Sequence, residues 1–96
     1  MSAFVISEIE VTDPDGYAEY ASLANASVLR HGGRFVVRGG PSETMEGDWA
    51  GRMVVLEFES LEAVWSWYRS DDYQAALPIR LRNSEGRMIA VEGGDA

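Results

Sequence analysis

The ten residues His31–Gly40, HGGRFVVRGG, place the end of a helix directly before the start of a strand. Glycine readily adopts the left-handed conformation that ends many helices, so Gly32 predicts a helix end. The segment Arg34–Arg38, between the two glycine pairs, carries the aromatic and β-branched side chains typical of strands. Its alternation predicts that both arginines lie on one face of a sheet.

The residues before this junction predict a first strand followed by a first helix. Residues 3–11, AFVISEIEV, have strand composition and end at Thr-Asp-Pro-Asp-Gly. Asp13 is suited to cap a helix and Pro14 to take its first position, where the missing N–H costs nothing. The side chains that share one helical stripe from there are Tyr17, Tyr20, Ala21, Ala24, Val28 and His31.

The second half of the chain predicts two more strands around a second helical region. RMVVLEF, Arg52–Phe58, predicts the third strand, and Ser60 is suited to cap the next helix. The buried stripe expected for that helix is Leu61, Val64, Trp65 and Tyr68. We expect a further turn or two after Ser70, until Pro78 interrupts the backbone hydrogen bonding.

The fourth strand is predicted at Arg87–Glu92, after a turn at Asn83-Ser-Glu-Gly. The resulting order is βαββαβ. With right-handed crossovers, this order favours an α+β ferredoxin-like sandwich, in which one four-stranded antiparallel sheet carries both helices on one face. The length predicts a single domain over residues 1–96.

Alternation along the strands predicts a homodimer. One set of side chains is apolar at ten of eleven positions and is expected beneath the helices: Val5, Ser7, Ile9, Val11, Phe35, Val37, Val54, Leu56, Phe58, Ile89 and Val91. The other set mixes apolar and charged side chains: Phe4, Ile6, Glu8, Glu10, Arg34, Val36, Arg38, Met53, Val55, Glu57, Met88, Ala90 and Glu92. A bare patch of this kind exceeds what soluble monomers usually expose, so a second copy is expected to cover it.

Composition excludes several classes of function. The net charge is −8, and all eight basic residues are arginine, so neither nucleic acid nor an anionic membrane is an expected partner. The absence of cysteine excludes thiolate chemistry, and the single histidine with scattered carboxylates gives no metal-ligand spacing. We therefore expect neither a metal nor another cofactor. The first residues lack the basic region of an export signal, which predicts a cytoplasmic protein.

A small-molecule pocket is expected where two such sheets face each other. Arg34, Arg38 and Glu57 would point between the sheets, among apolar walls. The candidate substrate-binding residues are Arg38, Glu46, Trp49 and Tyr73, and the candidate catalytic residues are His31, Glu57 and Tyr68. Alternatively, Arg38 and Glu57 pair with each other across neighbouring strands.

Two further candidates also have structural interpretations. His31 is suited to cap the last carbonyls of the first helix, or to act as a general acid or base. The loop Gly39–Gly51 is long for a compact domain, which is typical of binding lids. Its side chains Met45, Glu46 and Trp49 would alternatively cover one end of the sheet or contact the partner subunit.

Four segments of the chain together resemble the bacterial family described as domain of unknown function 1330. These segments are HGGRFVVRGG, MEGDW at Met45–Trp49, RMVVLEFESLEAVWSWYRSDDYQ and LPIRLRNSEGRMIAVEG. The resemblance covers about Val5–Gly93, and it departs from the family at Ser70-Asp71, where many members have Ser-Pro. It implies a dimeric α+β barrel with a cleft in each subunit, and it implies no particular reaction. Relatives in the superfamily of dimeric α+β barrels include muconolactone isomerase, chlorite dismutase and cofactor-free monooxygenases.

Two classes of function fit these observations. One is an enzyme without a prosthetic group, an isomerase or oxygenase that acts on a small carboxylated or aromatic substrate held by Arg38. The other is a non-catalytic module that binds or senses a small metabolite in the cleft of the dimer.

Overall fold

The protein folds into an antiparallel four-stranded sheet with helices on one face. The structure is a computed structural model that describes residues 2–94. The elements are β1 (Ala3–Val11), α1 (Pro14–Arg30), β2 (Arg34–Arg38), β3 (Arg52–Phe58), α2 (Leu61–Tyr68), α3 (Asp71–Asn83) and β4 (Ser84–Glu92). The strand order is β2-β3-β1-β4. The ferredoxin-like prediction is therefore confirmed, with the second helical region divided into α2 and α3.

Both ends of α1 are as predicted. The Asp13 side chain accepts hydrogen bonds from the backbone N–H groups of Asp15 and Gly16, at 3.1 and 3.4 Å, and Pro14 is the first helical residue. Gly32 has a φ of +80°, and the Gly33 N–H donates to the Val28 carbonyl at 2.9 Å. These local signals position α1 over the sheet.

The buried face of α2 differs from the prediction. Trp65 was expected to be buried but is 46% exposed, whereas Trp67 is 1% exposed and lies in the core. The Trp67 indole N–H donates to the Ser27 hydroxyl on α1 at 3.0 Å. This partner on another helix, together with the Phe58 and Tyr73 rings beside it, determines which tryptophan is buried.

The helix α3 continues through Pro78, contrary to the prediction that it ends there. Pro78 is exposed, and on either side of it Tyr73, Ala76 and Ile79 are buried in the core. The packing of α3 against α1 therefore outweighs the lost backbone hydrogen bond.

The strand β4 begins at Ser84, so the predicted turn at Asn83–Gly86 is wrong. Its facing is also opposite to the prediction. Ile6 pairs with Ile89, and Ser7 pairs with Met88, so Met88 faces the helices while Ile89 is 63% exposed on the other side. Because apolar side chains occupy both faces of this strand, its sequence does not distinguish the two orientations.

A β-bulge in β2 changes the facing of that strand. Phe35 pairs with Leu56, and Val37 pairs with Val55, so Val36 is an extra residue between them. Arg38 therefore lies opposite Val54 on the helix side of the sheet, and Val37 lies on the opposite side. The sequence predicted the reverse, with Val37 beneath the helices and Arg38 on the opposite face, so both predictions are wrong.

The sheet face away from the helices, here the outer face, carries seven apolar side chains, as many as predicted, although three of them are different residues. Its apolar side chains are Phe4, Ile6, Val37, Met53, Val55, Ile89 and Val91. Four of its charged side chains are paired between neighbouring strands, Arg34 with Glu57 and Arg87 with Glu8, while Glu10 and Glu85 lie opposite each other at one end. Within residues 2–94, no helix packs on this face.

Candidate functional site

A cavity of about 120 Å³ lies between α1 and the sheet. Its apolar wall includes Ile9, Val28, Phe35, Val54, Leu56 and Met88. The polar side chains that line it are Tyr17, Tyr20, Asn25, Arg38 and Arg52. A few polar groups in an otherwise apolar concavity are typical of a small-molecule site.

Two exposed arginines form one end of this cavity, which we call the mouth. Arg38 ends β2 and Arg52 begins β3. The Arg52 Nη2 group donates to the Arg38 carbonyl at 3.1 Å, and the Arg38 guanidinium carbon lies 4.2 Å from the centre of the Phe35 ring. In residues 2–94, neither guanidinium has a carboxylate within ion-pair distance.

Gly39 makes room for this arrangement. It has a φ of +72°, and an added Cβ would collide with the Arg52 guanidinium. A glycine after the RFVVR strand therefore allows Arg52 to reach the Arg38 carbonyl. The two arginines are held at the mouth by backbone geometry rather than by acidic partners.

The two cavity tyrosines are hydrogen-bond donors at neutral pH. Burial raises the pKa of the Tyr17 hydroxyl, against the lowering effect of the Arg52 and Arg80 charges. Burial also raises the pKa of Tyr20, together with the neighbouring Tyr73. The Tyr20 and Tyr73 hydroxyls lie 3.0 Å apart, whereas the Tyr17 hydroxyl has no hydrogen-bond partner among residues 2–94.

Glu57 lies away from this cavity. It faces Arg34 across β2 and β3 on the outer face and forms an ion pair with it. The neighbouring Ser2 side chain and then Arg34 lower the pKa of Glu57. The alternative pairing of Arg38 with Glu57 is therefore wrong, because the bulge turns Arg38 to the other side of the sheet.

His31 also lies outside the cavity. Its Nε2 atom is 3.0 Å from Asp72 Oδ1, and Arg30 forms an ion pair with the other Asp72 oxygen. The His31 backbone N–H, rather than its ring, donates to the Ser27 carbonyl at 3.1 Å. His31 therefore joins the end of α1 to the start of α3. It does not line the cavity between α1 and the sheet, so the geometry of that cavity gives no support to its predicted catalytic role.

We expect Asp72 to make stability depend on pH. The Ser70 side chain, then His31 and Arg30, hold the pKa of Asp72 well below its usual range. A carboxyl with a depressed pKa in the folded state contributes stability above its unfolded pKa and loses it as the pH falls. The thermal midpoint of the wild type should therefore fall below about pH 4 more steeply than that of Asp72→Asn.

The control is Asp71→Asn, which removes a neighbouring carboxylate that makes none of these contacts among residues 2–94. Its midpoint should follow the wild type through the same pH range. Parallel curves for the wild type and Asp72→Asn would show that the contacts of Asp72 contribute nothing to stability.

The remaining predicted site residues are distributed over other surfaces. Tyr68 lines a groove of about 440 Å³ beside α2 and β4, with Trp65 and Ile89. Tyr73 was expected at a pocket edge but is fully buried in the core. The structure thus brings only Arg38, of the seven candidates, to the cavity between α1 and the sheet.

The middle of the loop Gly39–Gly51, from Ser42 to Trp49, lies over part of the outer face, whereas its two ends adjoin Arg38 and Arg52 at the mouth. Glu46 and Trp49 line a groove of about 380 Å³ with Met53. The Arg87 guanidinium carbon lies 5.6 Å from the Trp49 ring centre. This position matches the alternative that the loop covers part of the sheet, and it differs from a lid over the cavity.

The sequence contained one usable signal for the missed residue Arg52. It is in phase with Val54, Leu56 and Phe58 on β3, so a charged side chain interrupts the stripe that faces the helices. Tyr17 was expected only as a core residue. Its place at the mouth depends on the packing of α1 against β3.

The described residues also limit other types of site. Within residues 2–94, no group of three or more His, Cys, Asp or Glu side chains is arranged to hold a metal ion. None of the helices in this range is both long and apolar enough to cross a membrane.

Comparisons with known proteins place the chain among ferredoxin-like proteins. A family model described as domain of unknown function (DUF1330) matches residues 2–94. RPA0582 from Rhodopseudomonas palustris, a protein of unknown function, superposes with a TM-score of 0.76 at 19% identity, over 99% of this chain and 84% of that one. No curated protein matches the sequence.

Two other solved structures are also similar in fold. A dimeric ferredoxin-like protein of unknown function from Jannaschia sp. has a TM-score of 0.72 at 11% identity, covering 96% of this chain and 99% of that one. SnoaB from Streptomyces nogalater, a cofactor-independent oxygenase, has a TM-score of 0.66 at 11% identity, covering 99% and 95%.

Proposed function

The chain belongs to the family described as domain of unknown function (DUF1330), and we propose that it is a homodimeric small-molecule-binding protein whose ligand occupies the cavity between α1 and the sheet. The ligand carries an anionic group, which Arg38 and Arg52 bind at the mouth. The observation that carries this proposal is the pair of arginines without acidic partners at the opening of an apolar cavity.

The lack of acidic partners is informative because acidic residues are abundant. The chain has sixteen acidic residues and eight arginines. Three of the eight arginines form ion pairs with carboxylates in the described part of the chain, residues 2–94, and among the other five only Arg38 and Arg52 line the cavity. At the mouth, two positive charges face an apolar cavity instead, and a ligand carboxylate would supply the missing counter-charge through charge-assisted hydrogen bonds.

The size of the cavity indicates the size of the ligand. At about 120 Å³ it is somewhat smaller than the roughly 150 Å³ engineered cavity that holds benzene in another protein. An apolar group of about one ring fits the interior, while its anionic group stays at the exposed arginines. A single-ring aromatic carboxylate such as benzoate is therefore a suitable probe.

The homodimer follows from the outer face. Two ion pairs neutralise four of its charged side chains, and its seven apolar side chains are Phe4, Ile6, Val37, Met53, Val55, Ile89 and Val91. A second copy offers the same apolar surface, and a two-fold arrangement buries both at once. The dimeric state of the Jannaschia protein, which has the same fold, supports this proposal.

Calorimetric titration with benzoate tests the proposed ligand class. Arg38→Gln and Arg52→Gln should each weaken benzoate binding about 10- to 100-fold, because each removes hydrogen bonds to a charged group. Arg82→Gln, at an exposed position on α3, should bind like the wild type. Wild-type protein that does not bind benzoate, or both mouth variants binding it normally, would contradict the proposal.

A second candidate function is cofactor-independent oxygenation or isomerisation of a phenolic or enolic acid. Two guanidinium groups and the Tyr17 hydroxyl would stabilise the anionic form of such a substrate. SnoaB, which has the same fold, is a cofactor-independent oxygenase. The described residues that line the cavity include no histidine or carboxylate to remove a proton, so the geometry favours binding. Oxygen uptake on addition of a hydroxylated benzoate would support this second function.

A further inference from the structure

We propose that Tyr17 is a recognition residue of the cavity, donating its hydroxyl hydrogen to the same ligand oxyanion that Arg52 binds. This inference rests on the proposed function and extends it. It makes the site selective for a carboxylate or phenolate over a neutral molecule of the same shape.

The position of Tyr17 provides the first support. It lies in the first turn of α1 and lines the cavity, although it is 8% exposed. The Arg52 guanidinium carbon is 6.0 Å from the centre of its ring. An anionic oxygen bound at Arg52 would therefore lie near the Tyr17 ring.

The free hydroxyl of Tyr17 provides the second support. Tyr20, one turn further along α1, places its hydroxyl 3.0 Å from that of Tyr73 in the core. The Tyr17 hydroxyl makes no such bond among residues 2–94. Among residues 2–94 the Tyr17 hydroxyl is not one of the enclosed polar atoms without a partner, so it is accessible from the cavity and able to donate to a ligand acceptor.

Arg80 provides the third support. It lies on α3 and is 7% exposed, and its Nε atom has no hydrogen-bond partner in residues 2–94. No carboxylate forms an ion pair with it in the same range. A buried cation is costly without a nearby negative charge. An anionic ligand at the mouth would bring a negative charge closer to the Arg80 guanidinium.

Arg52 and Arg80 together polarise the Tyr17 hydroxyl. Burial raises the pKa of Tyr17 and outweighs the lowering effect of both positive charges, so the group remains protonated and able to donate. A donor on which two positive charges act favours a negative acceptor. A neutral amide or ester of the same ligand gains little from this position, which accounts for the selectivity that we propose.

The test compares benzoate with benzamide, its neutral counterpart, by calorimetric titration of Tyr17→Phe. We expect benzoate binding to weaken about 10-fold, and benzamide binding to change less than about twofold. Tyr68→Phe is the matched control, because it removes a phenol hydroxyl that lies outside this cavity, in the groove beside α2 and β4. Its benzoate affinity should remain close to that of the wild type.

Arg80→Met tests the polarising charge, with Arg80→Gln as the substitute if the first variant does not fold. Benzoate binding should weaken about threefold, with benzamide binding unchanged. If the wild type does not bind benzoate, the proposed function is wrong. If Arg52→Gln loses benzoate but Tyr17→Phe binds it like the wild type, the proposed function stands and the role of Tyr17 is refuted.

Discussion

Val55→Glu should dissociate the homodimer into monomers at micromolar concentration. Val55 lies on β3, between Ile6 on β1 and Val37 on β2, in the apolar part of the outer face. A carboxylate buried there without a partner costs several kcal/mol, so the dimer dissociation constant should rise at least about 100-fold. Sedimentation equilibrium measures the change directly.

The control for this substitution is Ala75→Glu, which adds the same charge at an exposed position on α3. It should leave the dimer intact because α3 lies on the helix side of the sheet. A wild-type protein that sediments as a monomer, or an unchanged dimer in Val55→Glu, would show that the outer face is not the subunit interface.

Trp67→Ala should lower the free energy of unfolding by about 3–5 kcal/mol. The Trp67 side chain is 1% exposed, and its ring centre lies 4.3 Å from that of Tyr73 and 5.4 Å from that of Phe58. Removing the indole empties this part of the core and deprives the Ser27 hydroxyl of its donor. Urea unfolding followed by circular dichroism measures the loss.

Trp65→Ala is the matched control, because it removes the same side chain from the exposed position on the same helix. Its destabilisation should stay below about 1 kcal/mol. Equal losses in the two variants would mean that the core is not organised around Trp67.

The two tryptophans show where prediction from the sequence reached its limit. Helix ends could be predicted because Asp13, Ser60 and Gly32 act on their own backbone neighbours. The buried face of α2 could not be predicted, since this short helix has apolar side chains on all of its sides. The choice between Trp65 and Trp67 depends on Ser27, which is distant in the chain.

The candidate site was predicted in part for a similar reason. Arg38 was proposed as a ligand contact, and the structure places it beside a cavity, but on the opposite face of the sheet. The bulge at Val36 turns the Arg38 side chain to the opposite face. No residue in the sequence indicates this bulge, because consecutive valines suit a regular strand equally well. Tyr17 and Arg52 meet Arg38 only when α1 packs over β2 and β3.

A crystal structure of the protein soaked with benzoate would show whether the ligand occupies the cavity between α1 and the sheet. We expect electron density for the ring between α1 and the sheet, with the carboxylate about 3 Å from guanidinium nitrogens of Arg38 and Arg52. Benzoate bound only in the groove beside Trp65, or on the outer face, with the α1 cavity unoccupied, would contradict the proposed function.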